Sequence, residues 1–204
     1  MAKTTEVTVW ATGVVQDKEG RDVCLVLTEA AFNEGKFTQA FDNYVDLPDR
    51  INVQVRKYAR ISDAEIENKF EYENHRPNII GVAEATIMKG INVCKGLQEG
   101  GYLIINSTKA PEDLLKYVPE KERKRLKAIA CIDALGIAPE QLIDYSGAEG
   151  AEDVSAIGLG LGSAMAGAIA AVSGIVKKES ILGAAANRTA AKRGYDEVKI
   201  KVLK

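Results

Sequence analysis

The chain has 204 residues, enough for one sizeable hydrophobic core, and we expect a single α/β domain over residues 1–204. Its 27 basic and 29 acidic side chains give a net charge of −2, which argues against a dedicated nucleic-acid-binding protein. With one histidine, His75, and three cysteines that form no C-x-x-C pair, the sequence predicts neither a metal site nor a catalytic triad. The first residues, MAKTTEVTVW, carry charges where a signal peptide needs an apolar core, so we expect a cytoplasmic protein.

The first part of the chain predicts a strand, a helix and two more strands. Residues Thr5–Trp10 alternate and are β-branched, which predicts a strand that ends before Gly13. Asp22–Asn33 carries apolar residues at helical spacing and predicts a helix, closed by Gly35. Phe37–Phe41 predicts a short strand. Asn52–Ile61 predicts a half-exposed strand with the alternation of an antiparallel strand.

In the rest of the chain, short apolar runs alternate with helical patterns. The predicted strands are Asn78–Val82, Tyr102–Ile105 and Lys127–Ile132. The predicted helices are Ala85–Cys94, one opened by Pro111, Ser155–Ser173 and Ser180–Lys192, with a polar loop at Ser146–Glu152. This alternation predicts a Rossmann-like α/β fold with a mostly parallel, doubly wound sheet and helices on both faces. Ligands of such folds bind beyond the carboxyl ends of the strands.

The most unusual segment is Ile157–Val176, which has no charged residue and is rich in glycine and alanine. A membrane helix is disfavoured because only eight of its residues are Ile, Leu, Val or Met. A phosphate loop is disfavoured because Ala168 stands where lysine is needed, although a weak dinucleotide-type glycine register survives. A small residue at every fourth position, as at Gly162, Ala166 and Ala170, instead predicts a helix packed closely against a neighbour.

A basic cluster spans Lys116–Lys127, interrupted by Glu120 and Glu122. Mixed charge of this kind is typical of a solvated helix face or a charged connection. Docking of an acidic partner protein is the alternative interpretation.

Four segments, in this order, match one known pattern. They are Gly35–Phe41 (GKFTQAF), Gly96–Ser107 (GLQEGGYLIINS), Asp133–Ala138 (DALGIA), and Met165–Val176 followed by Asn187, Ala190, Gly194 and Tyr195. Together they resemble the gamma subunit, or corresponding domain, of the 2-oxoacid:ferredoxin oxidoreductases, which include the pyruvate, 2-oxoglutarate, 2-oxoisovalerate and oxalate enzymes. The resemblance covers nearly the whole chain.

This resemblance implies a multi-subunit enzyme that oxidatively decarboxylates a 2-oxoacid with thiamine diphosphate and passes electrons through iron–sulfur clusters to ferredoxin. Thiamine diphosphate, its Mg²⁺ and the clusters are then expected on partner subunits of the alpha, beta and delta types. For this chain we expect no catalytic residue, no bound cofactor of its own and no contact with nucleic acid or membrane. Its expected role is to pack against the thiamine-binding subunits and close part of the active-site surroundings.

Two departures from the family pattern concern ligand binding. The family's G-R-G-G-Q-G turn after the first strand is replaced by residues 12–17, TGVVQD, which keep only Gly13 and Gln16. The family's E-R-R-G-A-P-V segment appears as residues 47–53, LPDRINV, which keep Arg50. The candidate cofactor-binding residues are Gly13, Gln16, Arg50 and Asn106. The losses argue against coenzyme A binding at the turn, and an oxalate-type enzyme, which needs no coenzyme A, fits that hypothesis.

The alternative from another functional class is a stand-alone Rossmann-like protein that binds a nucleotide or a small acid. Such a protein would remain soluble and monomeric when expressed alone. A subunit would instead aggregate alone or co-purify with iron-containing partners.

Overall fold

The computed structural model describes residues 4–43, 53–138 and 159–204. Its centre is a seven-stranded sheet with the strand order β2-β3-β1-β4-β5-β6-β7. The strands are β1 (Thr4–Thr12), β2 (Phe37–Asp42), β3 (Gln54–Ser62), β4 (Ile79–Val82), β5 (Gly101–Asn106), β6 (Leu126–Ile132) and β7 (Lys199–Val202). The helices are α1 (Gly13–Asn33), α2 (Pro111–Leu115), α3 (Glu120–Arg123), α4 (Ala134–Ile137), α5 (Leu159–Ser173), α6 (Lys178–Ala184) and α7 (Arg188–Glu197), with a 3₁₀ helix at Ala85–Lys89.

The four central strands are parallel, which confirms the predicted α/β fold. β1 pairs with β4, β4 with β5 and β5 with β6 in parallel, while β3, β2 and β7 are antiparallel to their neighbours. The alternation in Asn52–Ile61 therefore indicated the direction of β3 correctly. Central strands β4 and β5 are almost wholly apolar because both of their faces are covered.

Two hydrophobic cores lie on opposite faces of the sheet. One core joins β1 and β3 to α1, α5, α6 and α7. The other lies over β4, β5 and β6, beneath the 3₁₀ helix and α2, and includes Ile80, Leu103 and Ile129. Helices thus cover both faces, as the sequence predicts.

The uncharged segment forms α5, and every residue from Gly160 to Ala170 in it is buried. Its small residues permit backbone contact on two sides. A Cβ at Gly162 would lie 2.8 Å from the Glu19 carbonyl oxygen of α1. Cβ atoms at Gly167 and at Gly194 of α7 would overlap backbone carbonyls across the α5–α7 contact. The close-packed helix is therefore the correct interpretation of this segment.

Among the described residues, no helix combines the length and the apolar character that crossing a bilayer requires.

Several element boundaries differ from the prediction. Helix α1 starts at Gly13 instead of Asp22, because its first turns bury acidic residues that apolar periodicity does not detect. The helix predicted to reach Cys94 is only the short 3₁₀ helix, which stops at Gly90. The predicted final helix is two helices, because Asn187 begins α7 by accepting a hydrogen bond from the Ala190 N–H.

Strand β7 was not predicted, since its exposed side chains lie at the sheet edge. The predicted loop Ser146–Glu152 and residues 155–158 lie outside the described residues.

Candidate functional site at the carboxyl ends of the central strands

Strands β1, β4, β5 and β6 end at the same edge of the sheet, where open α/β folds bind ligands. A polar residue or a glycine follows or ends each strand here. These residues are Gly13, Glu84, Asn106 and Asp133.

A hydrogen bond from the backbone to the Gln16 side chain closes the turn after β1. Gly13 has a positive φ of 72°, which favours glycine, and α1 begins at this residue. Gln16 Oε1 accepts a hydrogen bond of 3.4 Å from the Thr12 N–H, and its Nε2 lies 3.5 Å from Glu84 Oε2. The structure thus brings Gly13 and Gln16 together, with Glu84 as a neighbour that sequence patterns did not identify.

Asn106 links three strand ends. Its Nδ2 donates to the Ala83 carbonyl oxygen at 2.9 Å, and its Oδ1 accepts from the Ala134 N–H at 3.0 Å. Its side chain is buried, so the amide is engaged within the chain. The Asp133 side chain is also engaged within the chain. Its Oδ1 accepts a hydrogen bond of 2.9 Å from the Gly136 N–H, and Asp133 caps the start of α4.

A small cavity of about 210 Å³ lies beside these ends, between β5, β6 and α7. Arg193 and Glu197 line it and pair with each other at 2.7 Å. Small-molecule sites usually occupy about 300–1,000 Å³, so this cavity has room for little more than a few waters or a small ion.

Asp17, in the first turns of α1, pairs with a lysine of the sheet. Lys57 Nζ lies 2.6 Å from Asp17 Oδ1, and the two side chains are 1% and 4% exposed. A second carboxylate, Asp42, lies 3.4 Å from Lys57 and also accepts from Arg21 Nε at 2.6 Å. The buried cation nearest the turn is therefore neutralised by carboxylates of the same chain.

Two further acidic residues of α1 face the first turns of α5. Glu19 accepts a hydrogen bond from the Gly162 N–H, but burial raises the pKa of its carboxyl to about 8. Burial also raises the pKa of Asp22 to about 6, although a hydrogen bond with Ser163 lowers it. Asp22 Oδ2 has no hydrogen-bond partner among the described residues. The carboxyl groups of Glu19 and Asp22 therefore lie at the contact between α1 and α5.

The cysteines in the described part of the chain are poorly suited to metal binding or nucleophilic attack. All three cysteines are free and buried. Burial raises the pKa of Cys94 and Cys131 to about 12 and that of Cys24 higher still, so the thiolates that bind metals or attack substrates are disfavoured. Nor do the described His, Cys, Asp and Glu residues form a group of three or more that could hold a metal ion.

Of the four candidate contacts, Gly13 and Gln16 lie together and Asn106 lies two strands away, while Arg50 is outside the described residues. Sequence reasoning missed the Lys57–Asp17 pair and the carboxyls of Glu19 and Asp22. The available signal was a run of acidic residues every two or three positions, Asp17, Glu19 and Asp22, just ahead of the apolar part of the helix.

Comparison with known proteins is consistent along nearly the whole chain. The family model described as pyruvate ferredoxin/flavodoxin oxidoreductase matches residues 23–202. The pyruvate/ketoisovalerate oxidoreductases common subunit gamma of Thermococcus kodakarensis is 32% identical over 157 residues, 76% of this chain and 72% of that one.

Two crystal structures have the same fold. Pyruvate oxidoreductase subunit PORC from Thermotoga maritima is similar with a TM-score of 0.72 and 26% identity, over 98% of this chain and 99% of that one. The keto/oxoacid ferredoxin oxidoreductase gamma subunit from Geobacter sulfurreducens shares the fold alone, with a TM-score of 0.65 and 16% identity over 96% of each chain. The chain thus belongs to the pyruvate ferredoxin/flavodoxin oxidoreductase family, in which it corresponds to the gamma subunit.

Proposed function

We propose that this chain is the gamma subunit of a multi-subunit, thiamine-diphosphate-dependent 2-oxoacid:ferredoxin oxidoreductase. The supporting observation is likeness to a PORC subunit over 98% of the chain, with matching fold and detectable sequence identity. Its partners are the alpha, beta and delta-type subunits, and ferredoxin accepts the electrons of the complex. The substrate is a 2-oxoacid of the pyruvate or oxalate type.

The chain's role in the complex is architectural. Its described residues do not fit an iron–sulfur cluster, because the three thiols are buried and their raised pKa values oppose the thiolate form that ligates iron. They also offer no group of acidic ligands suited to the Mg²⁺ of thiamine diphosphate. We infer that the clusters and thiamine diphosphate belong to the partner subunits and that this chain packs against them without a catalytic residue of its own.

We further propose that the turn after β1 does not bind coenzyme A. An anion-binding turn needs free backbone amides and accessible positive charge. Here Gln16 closes the turn, while Asp17 neutralises Lys57 beneath it. An oxalate-type reaction, which needs no coenzyme A, is consistent with this arrangement.

Co-expression with the thiamine-binding and ferredoxin-like subunits tests the function. We expect a brown complex that reduces ferredoxin with pyruvate or oxalate and loses this activity when the gamma chain is omitted. A chain that stays monomeric beside these subunits and binds a nucleotide would instead support the stand-alone alternative.

Hydrogen exchange on the same complex tests the coenzyme A proposal. We expect residues 12–20 to exchange equally fast with and without coenzyme A. Protection of these residues at micromolar coenzyme A, weakened by Gln16→Ala, would contradict the proposal.

A further inference from the structure

An open groove lies on the sheet face opposite α1. It has a volume of about 870 Å³ and is lined by side chains of β1 and β3 and by the segments 73–77 and 90–96. Thr8 and Trp10 of β1 and Arg56 of β3 point to this face, since the alternate residues Val7, Val9 and Val55 belong to the core under α1. The groove is separate from the turn after β1 and from the cavity beside α7.

The groove carries more positive than negative charge. Four basic side chains line it, against two acidic ones. They are Arg56, Lys95, Lys121 and Arg125, against Glu73 and Glu122. Glu73 is paired with Arg56 at 2.7 Å, whereas Lys95 and Lys121 are exposed and form no ion pair within the described part of the chain. Because the whole chain has a net charge of −2, this excess is local.

The wall of the groove also contains an unused polar group. Thr8 is 4% exposed, and its Oγ1 has no hydrogen-bond partner among the described residues. A buried hydroxyl without a partner is destabilising, so this wall of the groove holds an unmet hydrogen-bonding group. Beside it, Trp10 donates through Nε1 to the Val93 carbonyl oxygen at 3.2 Å, and the Arg56 guanidinium lies 5.5 Å from its ring centroid.

We propose that this groove docks an acidic, extended segment of a partner subunit. An enclosed apolar pocket would suit a small molecule, but this groove is open and rich in polar side chains. Carboxylates of the segment pair with Lys95 and Lys121. The proposal rests on the proposed function, because it requires assembly with other subunits. It also assigns a role to two residues of the cluster Lys116–Lys127, Lys121 and Arg125, which line the groove.

Carbodiimide cross-linking of the assembled complex, read by mass spectrometry, tests the docking directly because it joins lysines to adjacent carboxylates. We expect Lys95 and Lys121 to cross-link to a single acidic stretch of one partner subunit. The double variant Lys95→Glu/Lys121→Glu should weaken binding of the chain to that subunit by roughly tenfold or more. The matched control Lys89→Glu/Lys116→Glu reverses two exposed charges outside the groove and should change binding by less than about twofold.

Other outcomes separate the two proposals. If the complex assembles but Lys95 and Lys121 form no cross-link to a partner subunit, the docking proposal is overturned and the subunit function stands. If the complex does not assemble, both are overturned. Inorganic pyrophosphate is the probe for a small-anion site. Such a site would be indicated if pyrophosphate slowed chemical acylation of both lysines and changed the fluorescence of Trp10, the only tryptophan of the chain. That result would also overturn the docking proposal.

Discussion

Lys57 and Asp17 form a nearly dry ion pair, with Nζ and Oδ1 2.6 Å apart beneath the first turns of α1. The lysine comes from β3 and the aspartate from the first turns of α1. Their pairing gives Asp17 a structural role, because its carboxylate neutralises a buried cation.

Removing one member of this pair should destabilise the fold strongly. Lys57→Met leaves the carboxylates of Asp17 and Asp42 without their shared cation, and we expect a loss of about 3–5 kcal/mol in the free energy of unfolding. Urea unfolding measures this loss. Lys69→Met, which breaks the exposed pair with Glu65, is the control and should cost less than about 1 kcal/mol. An equal, small effect of both variants would contradict a buried, mutually dependent pair.

The stability of the chain should fall as pH rises from about 4.5 to about 8, and over pH 6–8 Glu19 is the group expected to carry the loss. Glu19 has an ordinary pKa of 4.5 when unfolded and about 8 when folded, so the folded chain holds a proton that the unfolded chain has released. The free energy of unfolding then decreases by up to about 1.4 kcal/mol per pH unit, and the decrease ends above the folded pKa.

Glu19→Gln isolates this effect, because the amide still accepts from the Gly162 N–H but does not titrate. The variant should show a flat pH dependence between pH 6 and 8 in urea unfolding. Asp22→Asn is the comparison: its pKa of about 6 places its contribution between about pH 4 and 6, with the same sign. A slope over pH 6–8 that survives Glu19→Gln would assign the proton to another group.

Adding one methyl group at the α5–α7 contact should separate the two helices. At Gly167 a Cβ would overlap the Ala191 carbonyl oxygen, and backbone cannot move aside as a flexible side chain can. We expect Gly167→Ala to cost about 1–3 kcal/mol or more, measured by thermal or urea unfolding.

Gly183 provides the matched control, since it also lies in a helix but has no atom within 4 Å of the position of an added Cβ. Gly183→Ala should be neutral or stabilising by up to about 1 kcal/mol. Equal effects at Gly167 and Gly183 would show that the α5–α7 contact tolerates separation.

Asn106 is predicted to affect stability more than ligand affinity. Asn106→Leu leaves the Ala83 carbonyl and the Ala134 N–H without partners, at about 1–3 kcal/mol each. The exposed Asn68→Ala variant is the control, with an expected effect within about 0.5 kcal/mol. A variant that keeps its stability but raises the KM of the complex for its 2-oxoacid would instead assign Asn106 to the ligand.

The sequence by itself determined most strands, the alternation that makes the four central strands parallel, and the burial of the glycine- and alanine-rich helix. These features follow from local sequence patterns. A strand covered on both faces must be apolar, and a close-packed helix must carry small side chains on its contact face. Family-like segments predicted the gamma subunit because they span the chain in the right order.

Only the tertiary structure decided how charged residues are used. Asp17 and Lys57 lie far apart in the chain, and each alone is typical of a solvated surface; the packing of α1 on β3 buries both and matches their charges. The early start of α1 was hidden for the same reason, since hydrophobic periodicity does not detect buried carboxyls. Likewise, Gly167 and Gly194 acquire their importance from a neighbouring carbonyl that no local pattern specifies.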